Sequence, residues 1–280
     1  MARPSTKPTA ATLVIPLKCD RGDTWDLVPS KGYERLAIAL SELYVSGVAN
    51  NMQRIFDLLL VSIAIALLFP ILVSISVILR FTGEGEVLYK QSRVGRGCRP
   101  FGLYKFATML KESPNIGAGE ITVRNDPRVL PFGRFLRKTK INELPQLLNV
   151  LRGDMSLVGP RPVVPTTFTH YPEAAQKDIG RVSPGLSGVG SIIFRDEEAY
   201  FDAEDDPHTF FEEVIIPHKA ELEQWYVRNR SLRLYFEVIF LTVWVIFFRQ
   251  SKLPRRIWSS LPPPPAELVA HANPDNKDPE

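Results

Sequence analysis

Apolar and polar positions alternate along this chain in several distinct rhythms. The longest apolar stretch runs from Leu58 to Leu79, 22 residues without a charge and with only three serines and one proline. That length matches the hydrocarbon core of a bilayer. Ahead of it, residues 33–51 (YERLAIALSELYVSGVANN) carry apolar side chains at helical spacing and predict a short amphipathic helix. Pro70 falls near the middle of the apolar run. It removes a backbone donor and crowds the preceding turn, so a kink is expected there. Arg54 and Arg80 flank the run, and positive residues mark the cytoplasmic side. Two topologies satisfy this: a straight span, or a helix that enters, breaks at Pro70 and returns to its own face.

Shorter rhythms follow. Residues 86–91 and 100–106 read as two strands joined by a glycine-rich basic turn. GPRP and SPGLSG mark loops. In ELPQLLNVL, Leu144, Leu147, Leu148 and Leu151 recur at one-face helical spacing. Asn142 then serves as N-cap and Pro145 sits in the first turn. Residues 218–250 predict one helix that becomes strongly apolar after Leu232. Its uncharged run, Val238 to Phe248, is too short to span and suits an interface, with Trp225, Tyr226, Trp244 and Trp258 at that level. Residues 1–30 and 251–280, with its proline run and acidic end, predict disorder.

Composition sharpens this reading. With 280 residues and 45% apolar content, a packed core is within reach. The net charge of +3 conceals a block from Lys90 to Lys140 with twelve lysines and arginines against Glu112, Glu120 and Asp126. Such a field suits a polyanion, an anionic membrane surface or simply a solvated basic face. A nucleic-acid role fits poorly behind a membrane segment. Cys19 and Cys98 form neither a disulfide framework nor a metal spacing, consistent with a reducing compartment, and the first 30 residues show no secretory signal. His170, His208, His218 and His271 are scattered, and no Ser-His-Asp or Cys-His arrangement stands out.

The candidate chemistry gathers between residues 138 and 165. A helix start carrying Asn142 and Glu143, with Lys138 and Lys140 beside it, suits phosphate. Arg161 lies between Pro160 and Pro162, where a stiff loop can aim a guanidinium at a phosphate. Each feature alone is equally an ordinary cap or turn. Together with the membrane segment, they suggest a lipid-embedded site for phosphorylated substrates.

The motifs RIFD, SRVGRGCRPFGLYKFATM, LRKTKINELPQLLNVLRGDMSLVGPRP, VSPGLSG and ELEQWYVRNRSL occur in order over residues 51–250. In them the chain resembles the bacterial sugar transferases, the monotopic phosphoglycosyl transferases. The resemblance implies transfer of a sugar-1-phosphate from a UDP-sugar to undecaprenyl phosphate with release of UMP, starting an exopolysaccharide or related glycan. It implies Mg²⁺, with Glu143 as its ligand, and a bacterial inner membrane location with the catalytic domain on the cytoplasmic face, among the membrane lipids. A homodimer or glycan-assembly partners are compatible with it. The implied fold is α+β and mainly helical: a re-entrant, Pro70-kinked membrane helix (51–82) behind an N-terminal extension (1–50), a small catalytic domain with a short β-hairpin and interfacial amphipathic helices (83–250), and a tail (251–280). Lys105, Arg137, Arg161 and Arg195 fall where the family holds phosphates or uridine, and Asn142 with Glu143 where it has a catalytic Asp-Glu pair.

This sequence departs from that pattern at Asn142, an amide in place of the attacking carboxylate. Three readings follow. Glu143 becomes the nucleophile, the lipid phosphate attacks directly while Glu143 holds Mg²⁺, or the chain is a weak or inactive membrane partner that binds polyprenyl phosphate or a glycan-assembly complex. Val189-Gly190-Ser191 also replaces a usual Trp-Ala-Gln, Ile193 a polar residue, and Glu223 an Asp.

Overall fold

The apolar run and the amphipathic segment before it form one helix, α1 (Lys31–Phe81), whose helical backbone continues past Pro70. A computed structural model describes residues 31–113, 126–195, 200, 207–248 and 251–272, with side chains over 50–113, 126–195, 200, 208–248 and 251–269. The expected disorder of 1–30 lies outside these residues. The chain divides into two compact units, Met1–Val45 and Ser46–Glu280. From Asn50 to Phe81, α1 is long and apolar enough to cross a membrane.

Two faces of α1 differ. Leu59, Ile63, Leu67, Phe69, Val73 and Val77 point outward and are exposed. The inner stripe packs on the domain along its whole length. Val61, Ala64, Ile65 and Leu68 meet Leu103, Leu147 and Val150, while Leu72, Ile75 and Leu79 meet Phe106 and Leu136. Polar contacts fix the entry of the helix. Gln53 Nε2 donates to Ser156 Oγ at 2.7 Å, Arg54 Nη1 to the Val150 carbonyl at 2.6 Å, and Asp57 Oδ1 accepts from the Leu157 N–H and the Tyr235 O–H.

The hairpin is β1 (Leu88–Val94) and β2 (Pro100–Phe106), antiparallel with Leu88 opposite Phe106. The first strand ends three residues later than the sequence suggested. Gly97, at φ 71°, turns the chain between them. After α2 (Pro131–Lys138), Lys140 adopts a left-handed conformation at φ 60°, and a 3₁₀ turn (Ile141–Glu143) leads into α3 (Gln146–Arg152).

This corrects the expected cap. An N-cap oxygen accepts from the second or third following N–H. Here the Leu144 N–H is taken by the Ile141 carbonyl at 3.1 Å, and Pro145 has none. Asn142 therefore caps nothing and turns inward, 6% exposed. The apolar stripe of α3 also splits: Leu147 and Val150 are buried, Leu148 and Leu151 exposed.

The remaining elements wrap a second core. β3 (Ser156–Val158) pairs in parallel with β4 (Gly185–Ser187), bracketing α4 (Pro165–Thr169) and α5 (Glu173–Gly180). Then come α6 (Val189–Ile193), α7 (Pro207–Phe210), a π-helical turn (Phe211–Ile215), α8 (Ile216–Arg228) and α9 (Leu232–Phe247). The single late helix is thus two helices. Ser231 ends the break, its Oγ accepting the Leu234 N–H at 3.1 Å as an N-cap. Val238, Leu241 and Val245 line the core, and Phe236, Phe240, Val243 and Phe247 face outward. Tyr226 and Trp258 are buried in that core and do not form an interfacial belt; Trp258 Nε1 donates to Glu237 Oε2 at 3.1 Å. The tail expected to be disordered is ordered through residue 272, as α10 (Leu253–Ile257) and α11 (Ala266–Ala272), because Pro254, Trp258 and Leu268 bury against the core.

Candidate active site

Five hydrogen bonds immobilise the Gly159–Val163 loop. The Gly159 N–H donates to the Ser187 carbonyl (2.9 Å) and the Gly185 N–H to the Pro160 carbonyl (2.8 Å). The Arg161 N–H donates to Glu223 Oε1 (3.1 Å), Arg93 Nη1 to the Pro162 carbonyl (3.2 Å), and the Val94 N–H to the Val163 carbonyl (3.0 Å). The two prolines stiffen the loop further. The sequence expected a stiff perch for Arg161, and the loop is one.

From that perch the Arg161 fork reaches Glu143, Nη2 to Oε1 at 2.7 Å and Nη1 to Oε2 at 3.4 Å. Burial works against the Glu143 charge. Arg161 and Lys105, joined by Lys140, outweigh it and hold the carboxyl down at about 2. Lys105, on β2, is the counterpart. Burial, opposed by Glu143 and deepened by Arg93, Arg161 and Arg137, brings its ammonium down to about 7. Lys105, Arg161, Glu143 and Arg137 therefore share one electrostatic neighbourhood. Arg137 sits in the last turn of α2, with its Nη1 3.7 Å from Met109 Sδ. Arg195 follows α6, next to the undescribed residues 196–199. Asn142 Oδ1 is buried and accepts no hydrogen bond from the described residues.

Two residues of this neighbourhood were not anticipated as site residues. Arg93 lies in the SRVGRG motif and adds charge beside Lys105. Glu223 stands on the buried stripe of α8 with Ala220, Leu222 and Tyr226. That stripe, a carboxylate among apolar positions of one helix face, is the signal that could have found it. Around a single ionised carboxylate and a neutral amide, the cations leave a net positive field suited to a diphosphate.

Residues 48–249 match the family model described as bacterial sugar transferase. The chain belongs to the bacterial sugar transferase family. It is 34% identical over 206 residues to a UDP-N-acetylgalactosamine-undecaprenyl-phosphate N-acetylgalactosaminephosphotransferase of Aeromonas hydrophila, covering 73% of this chain and 45% of that protein. It is 35% identical over 205 residues to an undecaprenyl-phosphate glucose phosphotransferase of Komagataeibacter xylinus, covering 68% and 35%. It is 31% identical over 213 residues to the exopolysaccharide production protein ExoY of Rhizobium meliloti (strain 1021), covering 71% and 87%. This sugar transferase thus spans less than half the length of the first two relatives and most of the third.

Proposed function

We propose that this sugar transferase moves a sugar-1-phosphate from a UDP-sugar to undecaprenyl phosphate at the cytoplasmic face of a bacterial inner membrane, starting an exopolysaccharide or related glycan. The observation that carries the mechanism is the Arg161–Glu143 fork beside an amide. Asn142 has no anionic oxygen with which to attack phosphorus and form an acyl phosphate. Glu143 is ionised but doubly held, and a carboxylate stabilised to about 2 is a weak nucleophile. The geometry therefore favours direct transfer. An oxygen of the lipid phosphate attacks the sugar-bearing phosphorus, the bridging P–O bond breaks, and UMP leaves with that oxygen. Arg161, Lys105 and Arg137 hold the diphosphate and spread its charge, which is the main catalytic task in phosphoryl transfer.

Among the described residues no group of three or more His, Cys, Asp or Glu side chains gathers as a metal centre. Mg²⁺ binds through one or two protein oxygens, waters and substrate phosphates, so it needs no such cluster. The unpartnered Asn142 Oδ1 and the looser Glu143 oxygen fit that donor set. Bound there, Mg²⁺ would neutralise phosphate oxygens.

The returning topology rests on the basic residues Arg54 and Arg80 at the two ends of the run, while α1 itself runs through Pro70 as one helix. Single cysteines at positions 45 and 85 should both label from the cytoplasm. Labelling of either only from the periplasm would favour a straight span.

The deciding assay is UMP release from a panel of UDP-sugars with undecaprenyl phosphate and Mg²⁺. The unaltered protein should release UMP with sequential kinetics and no adduct by mass spectrometry, and Glu143→Gln should release none. Asn142→Asp should yield a trappable phosphosugar adduct. Silence from both the unaltered protein and Asn142→Asp would leave a membrane partner that binds polyprenyl phosphate.

A further inference from the structure

Glu223 is 3% exposed, and three segments meet on its carboxylate. Its Oε1 accepts the Arg161 N–H at 3.1 Å, on the residue whose guanidinium lies 2.7 Å from Glu143. The same oxygen fills the space beside the β4–α6 turn. A Cβ added to Gly190 would stand 2.5 Å from Oε1 and 3.2 Å from Cδ, and one added to Gly188 would stand 3.6 Å from Oε2.

Packing alone accounts poorly for this carboxylate. Its Oε2 has no hydrogen-bond partner among the described residues, and burial pushes its pKa up to about 7. A buried carboxyl with one unsatisfied oxygen is costly, so its retention calls for a role. The hydrogen bond to Arg161 supplies one.

We propose that Glu223 is a positioning residue of the transfer site, acting through the Arg161 main chain, and that Gly190 is the size complement that admits it. The Glu223 carboxylate fixes the height of the Pro160–Pro162 perch, and the perch fixes where the guanidinium meets Glu143 or a phosphate. Aspartate at 223 falls one methylene short of the Arg161 N–H. Alanine at 190 pushes Glu223 off it. The inference rests on the proposed function only for what Arg161 ultimately grips.

The test measures UDP affinity of the purified full chain by calorimetry, with thermal unfolding to establish that each variant is folded. Glu223→Asp and Gly190→Ala should each weaken UDP binding about fivefold to tenfold, the value of one lost hydrogen bond. The double variant should lose no more than the worse single, because both changes remove the same hydrogen bond. Glu223→Gln keeps an acceptor of the same reach and should lose less than Glu223→Asp, which keeps the test available if Gly190→Ala does not fold. A purely structural role is separated by repeating Glu223→Asp on Arg161→Ala, where no further loss of affinity is expected. The proposal is overturned if the single variants bind UDP as the unaltered protein does, if the double loses the sum of the two singles, or if Glu223→Asp costs as much without Arg161 as with it. Absence of UDP binding by the unaltered protein overturns it together with the transferase reading. The predicted couplings in a protein that releases no UMP leave the positioning standing and sink only the transferase reading; UMP release with additive losses does the reverse.

Discussion

Glu143 and Glu223 are both glutamates held by Arg161, and their environments push them in opposite directions. Glu143 meets the guanidinium, with Lys105 and Lys140 nearby, and is held at about 2. Glu223 meets only the backbone N–H of the same residue, deep beside glycines, and is pushed up to about 7. Burial opposes charge at both. The cations decide: a full positive charge at ion-pair distance outweighs burial, and one amide dipole with more distant charges does not. One arginine thus divides the two sides of the site. Its side chain serves the carboxylate that lies among the cations, and its main chain serves the one that faces the core.

The sharpest way to break this comparison is Arg161→Ala, which removes the guanidinium and keeps the N–H. UMP release should fall roughly tenfold to a hundredfold, the value of a lost charged hydrogen-bonding partner. Arg137→Ala should fall in the same range. Arg161→Lys should recover little, because an ammonium cannot match both carboxylate oxygens. If Arg161→Ala and Arg137→Ala both retain full activity, neither belongs to the site.

Next in size is the pH dependence of stability, where the two glutamates carry opposite signs. The folded-state pKa of Glu143 lies below its ordinary 4.5, so its contribution is present above 4.5 and lost as pH falls toward 2. Glu223 lies above 4.5. Its penalty is absent below 4.5, grows as pH rises, and is complete above about 7. Each spans on the order of 3 kcal/mol. Denaturant unfolding between pH 4.5 and 7 should show Glu223→Gln losing less stability than the unaltered protein as pH rises. Equal slopes for Glu223→Gln and the unaltered protein would remove the contrast.

These two carboxylates also show what a sequence reader can see. Glu143, Lys105 and Arg161 lie in contiguous motifs whose turn and strand signals are local, so the elements that carry them were legible, as was the hairpin from its glycine-rich turn. The membrane-length run was legible because twenty-two uncharged residues have few other uses. The failed cap at Asn142 was readable in principle, since Pro145 lacks the N–H that a cap oxygen would seek. The break between α8 and α9 was signalled only by a serine N-cap inside an otherwise helical pattern. Glu223 and the ordered residues 251–272 depend on contacts between segments far apart in sequence: Arg161 with α8, and Trp258 with Glu237. Period and propensity carry no record of such contacts.

The smallest expected effect separates Lys105 from the two glutamates. Burial above all lowers its ammonium to about 7, from an ordinary 10.5. Below 7 the folded protein bears the cost of a buried charge. As pH rises from 7 toward 10.5 that cost disappears, because the folded state has released the proton and the unfolded state has not. Ligand binding runs the other way. A diphosphate favours the charged lysine, so UDP affinity should fall as pH rises through 7 and the cation is lost. The expected fall is about fivefold between pH 7 and 8, below the tenfold-per-unit ceiling for one proton. A guanidinium stays charged throughout, so Lys105→Arg should flatten this profile. Lys105→Gln should bind weakly at every pH. Glu223→Gln tests the remaining group near 7: a profile that keeps its fall in this variant and loses it in Lys105→Arg assigns the titration to Lys105. The reverse pattern would assign it to Glu223 and place the pH response on the core side of Arg161.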